Sequence, residues 1–289
     1  MLLNSAKRGV NSNIIRAFRD IYSHLRVRLK LPPDKGLPPA PRSALIPVHK
    51  GARQGAVLSP NFFNNYIIEP QDSCPSSCIL SSIDISLVCY ADDTLNLSRT
   101  LNRLSEIFSC LQSNYEKVGL RFNSQKSEVL LYNWKNDPPT NITLGDCSVK
   151  PVDKIVYLGL PIGSSLQHTR SLLISHLERR ISSSYALIVK STLRFNRPLL
   201  ASIYNATALP HILYVTPFWN LLANREKSKI RSIFFRFAKY LLKLPPWTKN
   251  SFLIRRYNLA DPNLAVQTLI SRQKTKPAIL KHEWASLLV

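Results

Sequence analysis

Ile85-Ser86-Leu87-Val88-Cys89-Tyr90-Ala91-Asp92-Asp93-Thr94-Leu95-Asn96-Leu97-Ser98 is the stretch on which the reading of this chain turns. Ile85 to Tyr90 is an apolar run of strand length. Beyond Asp93 the alternation of Thr94, Leu95, Asn96, Leu97 and Ser98 puts the two leucines on one face and the polar side chains on the other, as a half-buried strand requires. Two strands joined tightly through Ala91, Asp92 and Asp93 make a hairpin. Two adjacent carboxylates at its tip repel each other where the flanking strands limit solvent access, and a divalent cation relieves that repulsion. Magnesium prefers hard oxygen ligands and takes one or two carboxylates, with water and substrate phosphates completing its shell. Asp92 and Asp93 therefore suit a two-metal phosphoryl-transfer site. Aspartate also favours turns, so the pair taken alone reads better as a plain turn, and its context must decide.

Moving outward, Leu101, Leu104, Ile107, Phe108, Leu111, Tyr115 and Val118 trace one helical face, and Gly119 stands where a left-handed C-terminal cap belongs. This helix is expected to pack across a sheet. Strands are predicted at Ser127 to Tyr132, Ile142 to Leu144 and Ile155 to Leu160, with Gly145 and Asp146 turning the chain between two of them. Upstream, a short helical run covers Phe62 to Ile68. Six prolines between Leu31 and Pro47 mark a loop, and the spacing of Ile14, Ile15, Phe18, Ile21, Tyr22, Leu25 and Leu29 predicts an amphipathic helix. Helix, hairpin, helix and strands in that order describe an α+β layer. Past Gly163 the pattern is almost wholly helical, with Leu166, Leu173, Leu177, Ile181 and Ile188 on one stripe and a break near Pro198. A second stripe joins Ile230, Ile233, Phe234, Phe237, Leu241 and Leu242; Lys229, Arg231, Arg236, Lys239 and Lys243 lie off it. A domain boundary is expected near residue 164, giving domains 1–163 and 164–289.

The chain of 289 residues carries 39 Lys and Arg against 17 Asp and Glu, a net charge of +22, which favours a polyanionic partner. Residues 164–289 hold 20 of the basic and only 4 of the acidic residues, a surplus of 16. Mixed as they are with Leu, Ile, Phe and Trp, these cations suggest a folded, phosphate-facing element. Five cysteines without regular spacing argue against a disulfide framework, and Cys74 and Cys78 lack a second ligand pair at zinc spacing. No apolar run long enough to span a bilayer and no signal-peptide core occur, so an intracellular protein, nuclear or cytoplasmic, with no membrane partner is expected.

Four ordered blocks resemble the reverse transcriptases of non-LTR, LINE-type retrotransposons. Gly51, Ala52, Arg53, Gln54, Gly55, Leu58, Ser59, Pro60 and Phe63 are similar to the family's GxRQGxxLSPxLF segment, which lies beneath template and incoming nucleotide. Arg53 and Gln54 offer donors for phosphate or base, and Gly55 permits close backbone approach; Ser59 and Pro60 open the helix. YADD, Tyr90 to Asp93, is the second block. Gly119, Leu120, Phe122, Asn123, Lys126 and Ser127 resemble GLxxNxxKS, whose lysine is a proposed proton donor to pyrophosphate. Tyr157, Leu158 and Gly159 resemble the YLG turn that grips the primer. More loosely, Leu209 to Trp219, the basic helix and LPPW, Leu244 to Trp247, look like the family's thumb. The resemblance implies an incomplete palm of the right-hand polymerase type followed by an all-α thumb. It further implies Asp92 and Asp93 as catalytic metal ligands, Lys126 as a third catalytic residue, two Mg2+ ions, deoxynucleoside triphosphates, an RNA template and a DNA primer. Lys229, Arg231, Arg236, Lys239 and Lys243 would contact the backbone of the RNA/DNA hybrid.

The chain departs from the family upstream. The family's further metal-binding aspartate sits in a segment resembling FxDxxKAFD, and the acids before Gly51 are only Asp20, on the predicted helix, and Asp34, in the Pro-rich loop. Asp84 reads as a surface residue. An N-terminally truncated RNA-directed DNA polymerase, with little or no activity alone, is thus the leading expectation. The alternative is a non-catalytic remnant that binds nucleic acid through its basic helices.

Overall fold

The computed structural model describes residues 6, 9–29, 44–48, 55, 59–72, 74–80, 82–135, 137–191 and 196–274. Two compact units result: residues 1–79 with 84–122, and residues 80–83 with 123–289. The division by compactness thus falls at Phe122 and Asn123, within the region that the pattern of strands joins together.

In the first unit, Asn11 caps helix α1 (Ser12–Ser23), its side chain accepting from the Asn13 amide at 2.8 Å. The helix is shorter than the apolar spacing predicts. It stops at Ser23, and Arg26–Val27 (β1) pairs antiparallel with Ile46–Pro47 (β2), with the Val48 amide donating to the Leu25 carbonyl. The end of the Pro-rich stretch is therefore strand, not loop, and its residues 31–43 lie outside the described ones. The predicted run at Phe62 to Ile68 belongs to a longer helix, α2 (Ser59–Asp72), with Pro60 in its first turn, where no amide is needed. Phe62 is buried edge-on to Phe18 and Tyr22, with ring centroids 4.8 and 5.7 Å away.

Two short strands, β3 (Ile79–Leu80) and β4 (Ile83–Asp84), precede the central hairpin of β5 (Leu87–Tyr90) and β6 (Asp93–Asn96). Thr94, Leu95, Asn96 and Leu97 are all half-buried, so the expected wet face of β6 is not wet. Part of the reason is visible: residues 77 and 78 lie against the start of the hairpin, with both amides donating to the Ser86 hydroxyl and the Ser77 hydroxyl donating to the Leu97 carbonyl. The Ile85 amide donates to the Cys78 carbonyl at 2.9 Å and not to β6, and the strand begins at Leu87 instead of Ile85.

Helix α3 (Leu101–Lys117) follows, capped by the Thr100 hydroxyl, and buries Ile107, Phe108, Leu111 and Tyr115. It ends as its sequence predicts. Gly119 is left-handed at φ +76°, its amide donates to the Glu116 carbonyl, and the Leu120 amide reaches back to Tyr115, a Schellman closure. Phe122 then tucks beneath the helix, 4.9 Å from Phe108 and 5.2 Å from Tyr115.

The second unit holds β7 (Val129–Leu130), the hairpin β8 (Ile142–Leu144) and β9 (Cys147–Val149) turned through Gly145 and Asp146, and β10 (Pro151–Val152) parallel to β7. A last hairpin joins β11 (Lys154–Tyr157) to β12 (Leu160–Gly163). The single sheet expected from the strand pattern is not formed among the described residues, where the strands make six two-stranded ladders. Strands of two to four residues have too few ladder bonds to extend a sheet on their own.

Helices α4 (Leu166–Lys190), α5 (Arg197–Tyr214), α6 (Asn224–Leu241), α7 (Asn250–Tyr257) and α8 (Pro262–Lys274), with a 3-10 turn at Thr216–Leu221, enclose one core. The predicted stripe of α4 is buried at Leu173, Leu177, Ile181 and Ile188, and that of α6 at Ile230, Ile233, Phe234 and Leu241. Pro198 lies in the first turn of α5, which begins at Arg197, while α4 ends at Lys190. No helix among the described residues is long and apolar enough to cross a membrane.

Candidate functional site

The register Tyr90↔Asp93 leaves Ala91 and Asp92 as a two-residue loop. Of these two only Ala91 has a positive φ, +52°, the pattern of a type II′ turn. An alanine in that region is held at a cost of about 1–2 kcal/mol, which only a turn closed on both sides sustains. Asp92 stands in the loop itself, and Asp93 is the first residue of β6. Asp92 and Asp93 are exposed, as is Tyr90 at 65%. The expectation that the strands limit solvent access at the tip is therefore overturned: water screens the pair, and the repulsion alone does not demand a cation. What remains is the donor set. Two exposed, adjacent carboxylates are hard oxygen ligands of the kind magnesium takes when water and phosphate fill the other positions. Among the described residues no cluster of three or more acidic, His or Cys side chains forms a closed cation site.

Asp84 is exposed, as its sequence context predicts, yet it is not idle. It accepts from the Ser76 hydroxyl and from both the amide and the hydroxyl of Ser86, at 2.9 and 2.5 Å. These bonds, with that from Ser76 foremost, hold its carboxyl below the usual range. It anchors the loop beside the hairpin. A depressed folded pKa means that the stabilisation is full above the unfolded value, about 3.9, and is lost as pH falls through the folded one. Thermal melts from pH 6 down to pH 2 are expected to show this loss in the wild type and a weaker pH dependence in Asp84→Asn.

Cys74 and Cys78 are loop residues, and none of the five cysteines forms a disulfide. Burial, aided by the neighbouring Cys110 thiol, pushes Cys74 up to about 12, which keeps the thiol protonated near neutral pH.

Arg53 and Gln54 lie outside the described residues. Gly55 is exposed with φ +80°, Ser59 is half-buried, and Pro60 is exposed at the start of α2. Lys126 belongs to the second unit. It is exposed in a turn organised by Asn123, whose side chain accepts from the Gln125 amide at 3.0 Å and whose carbonyl accepts from Lys126, Ser127 and the Ser127 hydroxyl. That asparagine explains the turn's shape.

Tyr157, Leu158 and Gly159 form the tip of the β11–β12 hairpin, not a buried strand end. Leu158 at φ +48° and Gly159 at φ +79° are both left-handed, as a type I′ turn requires. Leucine is ill suited to that conformation, and a partner 56 residues away steadies it: the Tyr214 hydroxyl donates to the Leu158 carbonyl at 2.6 Å. Sequence reasoning missed Tyr214, because nothing local marks it. Tyr214→Phe is expected to cost about 1 kcal/mol of stability, read by denaturant titration, and Leu158→Gly in that background should recover part of it.

The five cations of α6 and its end divide by partner. Arg231 holds Asp261 at 2.8 Å through both Nε and a terminal nitrogen, with its guanidinium 5.2 Å from the Phe235 ring centroid. Arg236 pairs with Glu178 on α4, and the Lys239 ammonium donates to the Pro246 carbonyl at 2.9 Å. Lys229 and Lys243 are exposed.

No curated protein matches the chain. Residues 37–162, a segment that includes both hairpin-tip aspartates, match the family model of the reverse transcriptase (RNA-dependent DNA polymerase), and the chain thus contains a domain similar to that family.

Proposed function

We propose that the chain is part of an RNA-directed DNA polymerase of the non-LTR, LINE type, with residues 1–163 contributing to a palm and residues 164–289 forming a helical thumb. The observation that carries this reading is the YADD hairpin: a strained two-residue loop that presents Asp92 and Asp93 to solvent inside the matched segment. Asp92 and Asp93 would hold Mg2+, which when bound neutralises charge on the transferring phosphates and on the attacking 3′ hydroxyl. By the resemblance, Arg53, Gln54, Gly55, Ser59 and Pro60 would serve the template and the incoming nucleotide. Lys126 faces the leaving pyrophosphate, and the rigid tip at Tyr157, Leu158 and Gly159 bears on the primer.

Among the α6 cations, Lys229 and Lys243 are the first choices for the backbone of the RNA/DNA hybrid. Arg231, Arg236 and Lys239 already have partners within the unit, with which a phosphate would have to compete. Two carboxylates on one tip leave the reacting oxygen poorly placed when a third ligand is needed. The purified 289-residue chain is therefore expected to bind an RNA/DNA hybrid, more weakly as salt rises, and to incorporate no nucleotide. A primer-extension assay on an RNA template with Mg2+ tests this. Incorporation that Asp92→Ala abolishes would refute the expected inactivity and establish the polymerase; failure to bind the hybrid at low salt would refute the polymerase reading.

The basic helices favour one rival, a non-catalytic protein that binds nucleic acid. Its binding would be indifferent to Mg2+ and to Asp92→Ala.

A further inference from the structure

Trp247 is 83% exposed, more than any other large apolar side chain described, and its backbone is firmly held. Helix α6 closes on a Schellman motif, with Lys243 left-handed at φ +51°, its amide donating to the Tyr240 carbonyl, and the Leu244 amide donating to the Lys239 carbonyl at 2.9 Å. Two prolines follow, and the Thr248 amide closes a turn onto the Pro245 carbonyl at 3.0 Å. The Lys239 ammonium then ties the Pro246 carbonyl back to the helix. A tryptophan normally contributes to a fold by burying its large surface. Here a rigid turn holds it out in water.

Its surroundings say what it faces. From Lys227 to Ala260 the chain has nine Lys and Arg residues and no Asp or Glu. Lys243 and Lys249, on either side of the turn, are both exposed, and Tyr240 in the last helical turn is 50% exposed. An exposed indole on a turn between two exposed lysines suits an unpaired base that stacks on the ring while its neighbouring phosphates meet positive charge. A duplex offers no free base face. We propose that the Trp247 turn is a docking point for single-stranded RNA, one unpaired base stacking on the indole and the adjoining phosphates facing Lys243 and Lys249. This rests on the reading of the helical unit as a nucleic-acid binder and adds a preference that its charge alone does not provide.

The test uses the full chain and fluorescence anisotropy with an unstructured RNA of about 12 nucleotides, alongside an RNA/DNA hybrid of the same sequence. Trp247→Ala is expected to weaken single-strand binding about tenfold and to leave hybrid binding within about twofold. Trp247→Phe, which keeps a ring face, should stay within about threefold of wild type on the single strand. Lys243→Ala should lower the slope of log affinity against log salt by about 0.7, the value for one phosphate on a single strand. Melting temperature serves as the control, since the exposed indole packs against little. A Trp247→Ala variant that binds the single strand as wild type does, or that loses affinity equally for strand and hybrid, overturns the proposal while leaving the unit's nucleic-acid binding intact. A wild-type chain that binds neither probe overturns both.

Discussion

Phe234→Ala is expected to cost the helical unit roughly 3–5 kcal/mol, the range for truncating a buried aromatic. Domains of this size are commonly stable by only about 5–15 kcal/mol, so the variant should be partly or wholly unfolded at moderate denaturant. Phe234 is fully buried in α6, its ring centroid 4.9 Å from that of Tyr204 and 5.6 Å from that of Phe235. Its backbone carbonyl also accepts the buried Tyr204 hydroxyl at 2.9 Å. Burial raises the Tyr204 pKa well above the usual phenol value, so the group remains a neutral donor throughout the working pH range. Removing the ring opens a cavity beside that bond, and Ile230 and Ile233, fixed on the same helix, have little freedom to close it. Urea titration followed by circular dichroism gives the loss. Phe252→Ala, at a ring 47% exposed, should fall far short of it, and equal effects at the two positions would show that the core is not where the structure puts it.

If the proposed function holds, Asp92→Asn and Asp93→Asn are each expected to weaken divalent-cation binding at the hairpin tip at least tenfold, since each would remove a charged ligand, and even outer-shell changes at metal sites cost about 10–100-fold. Both side chains are exposed and Asn is close in size to Asp, so the fold should be untouched. Paramagnetic broadening by Mn2+ of the amide signals of residues 87–96 reads the binding directly and does not depend on polymerase activity. Retention of the broadening in both variants would remove the metal site from the proposed function. Loss in only one would show that the two carboxylates do not act as a pair.

The sequence by itself located the elements that carry the candidate site. Period-two alternation beside a four-residue turn located the hairpin, and Gly119 after an apolar helical stripe located the closure of α3. The Gly145–Asp146 turn and the buried faces of α4 and α6 were equally legible, because each depends on residues within a few positions of one another. Tertiary structure alone decided which of the polar groups have partners. Arg231 finds Asp261 at a separation of 30 residues, Tyr214 finds Leu158 at 56, and Arg236 finds Glu178 at 58. No periodicity encodes such pairs. The same limit applies to the tip of YADD. The sequence put two aspartates on a turn, but not their exposure or the backbone of that turn, which holds Ala91 at a positive φ, a state that the identity of an alanine gives no reason to expect.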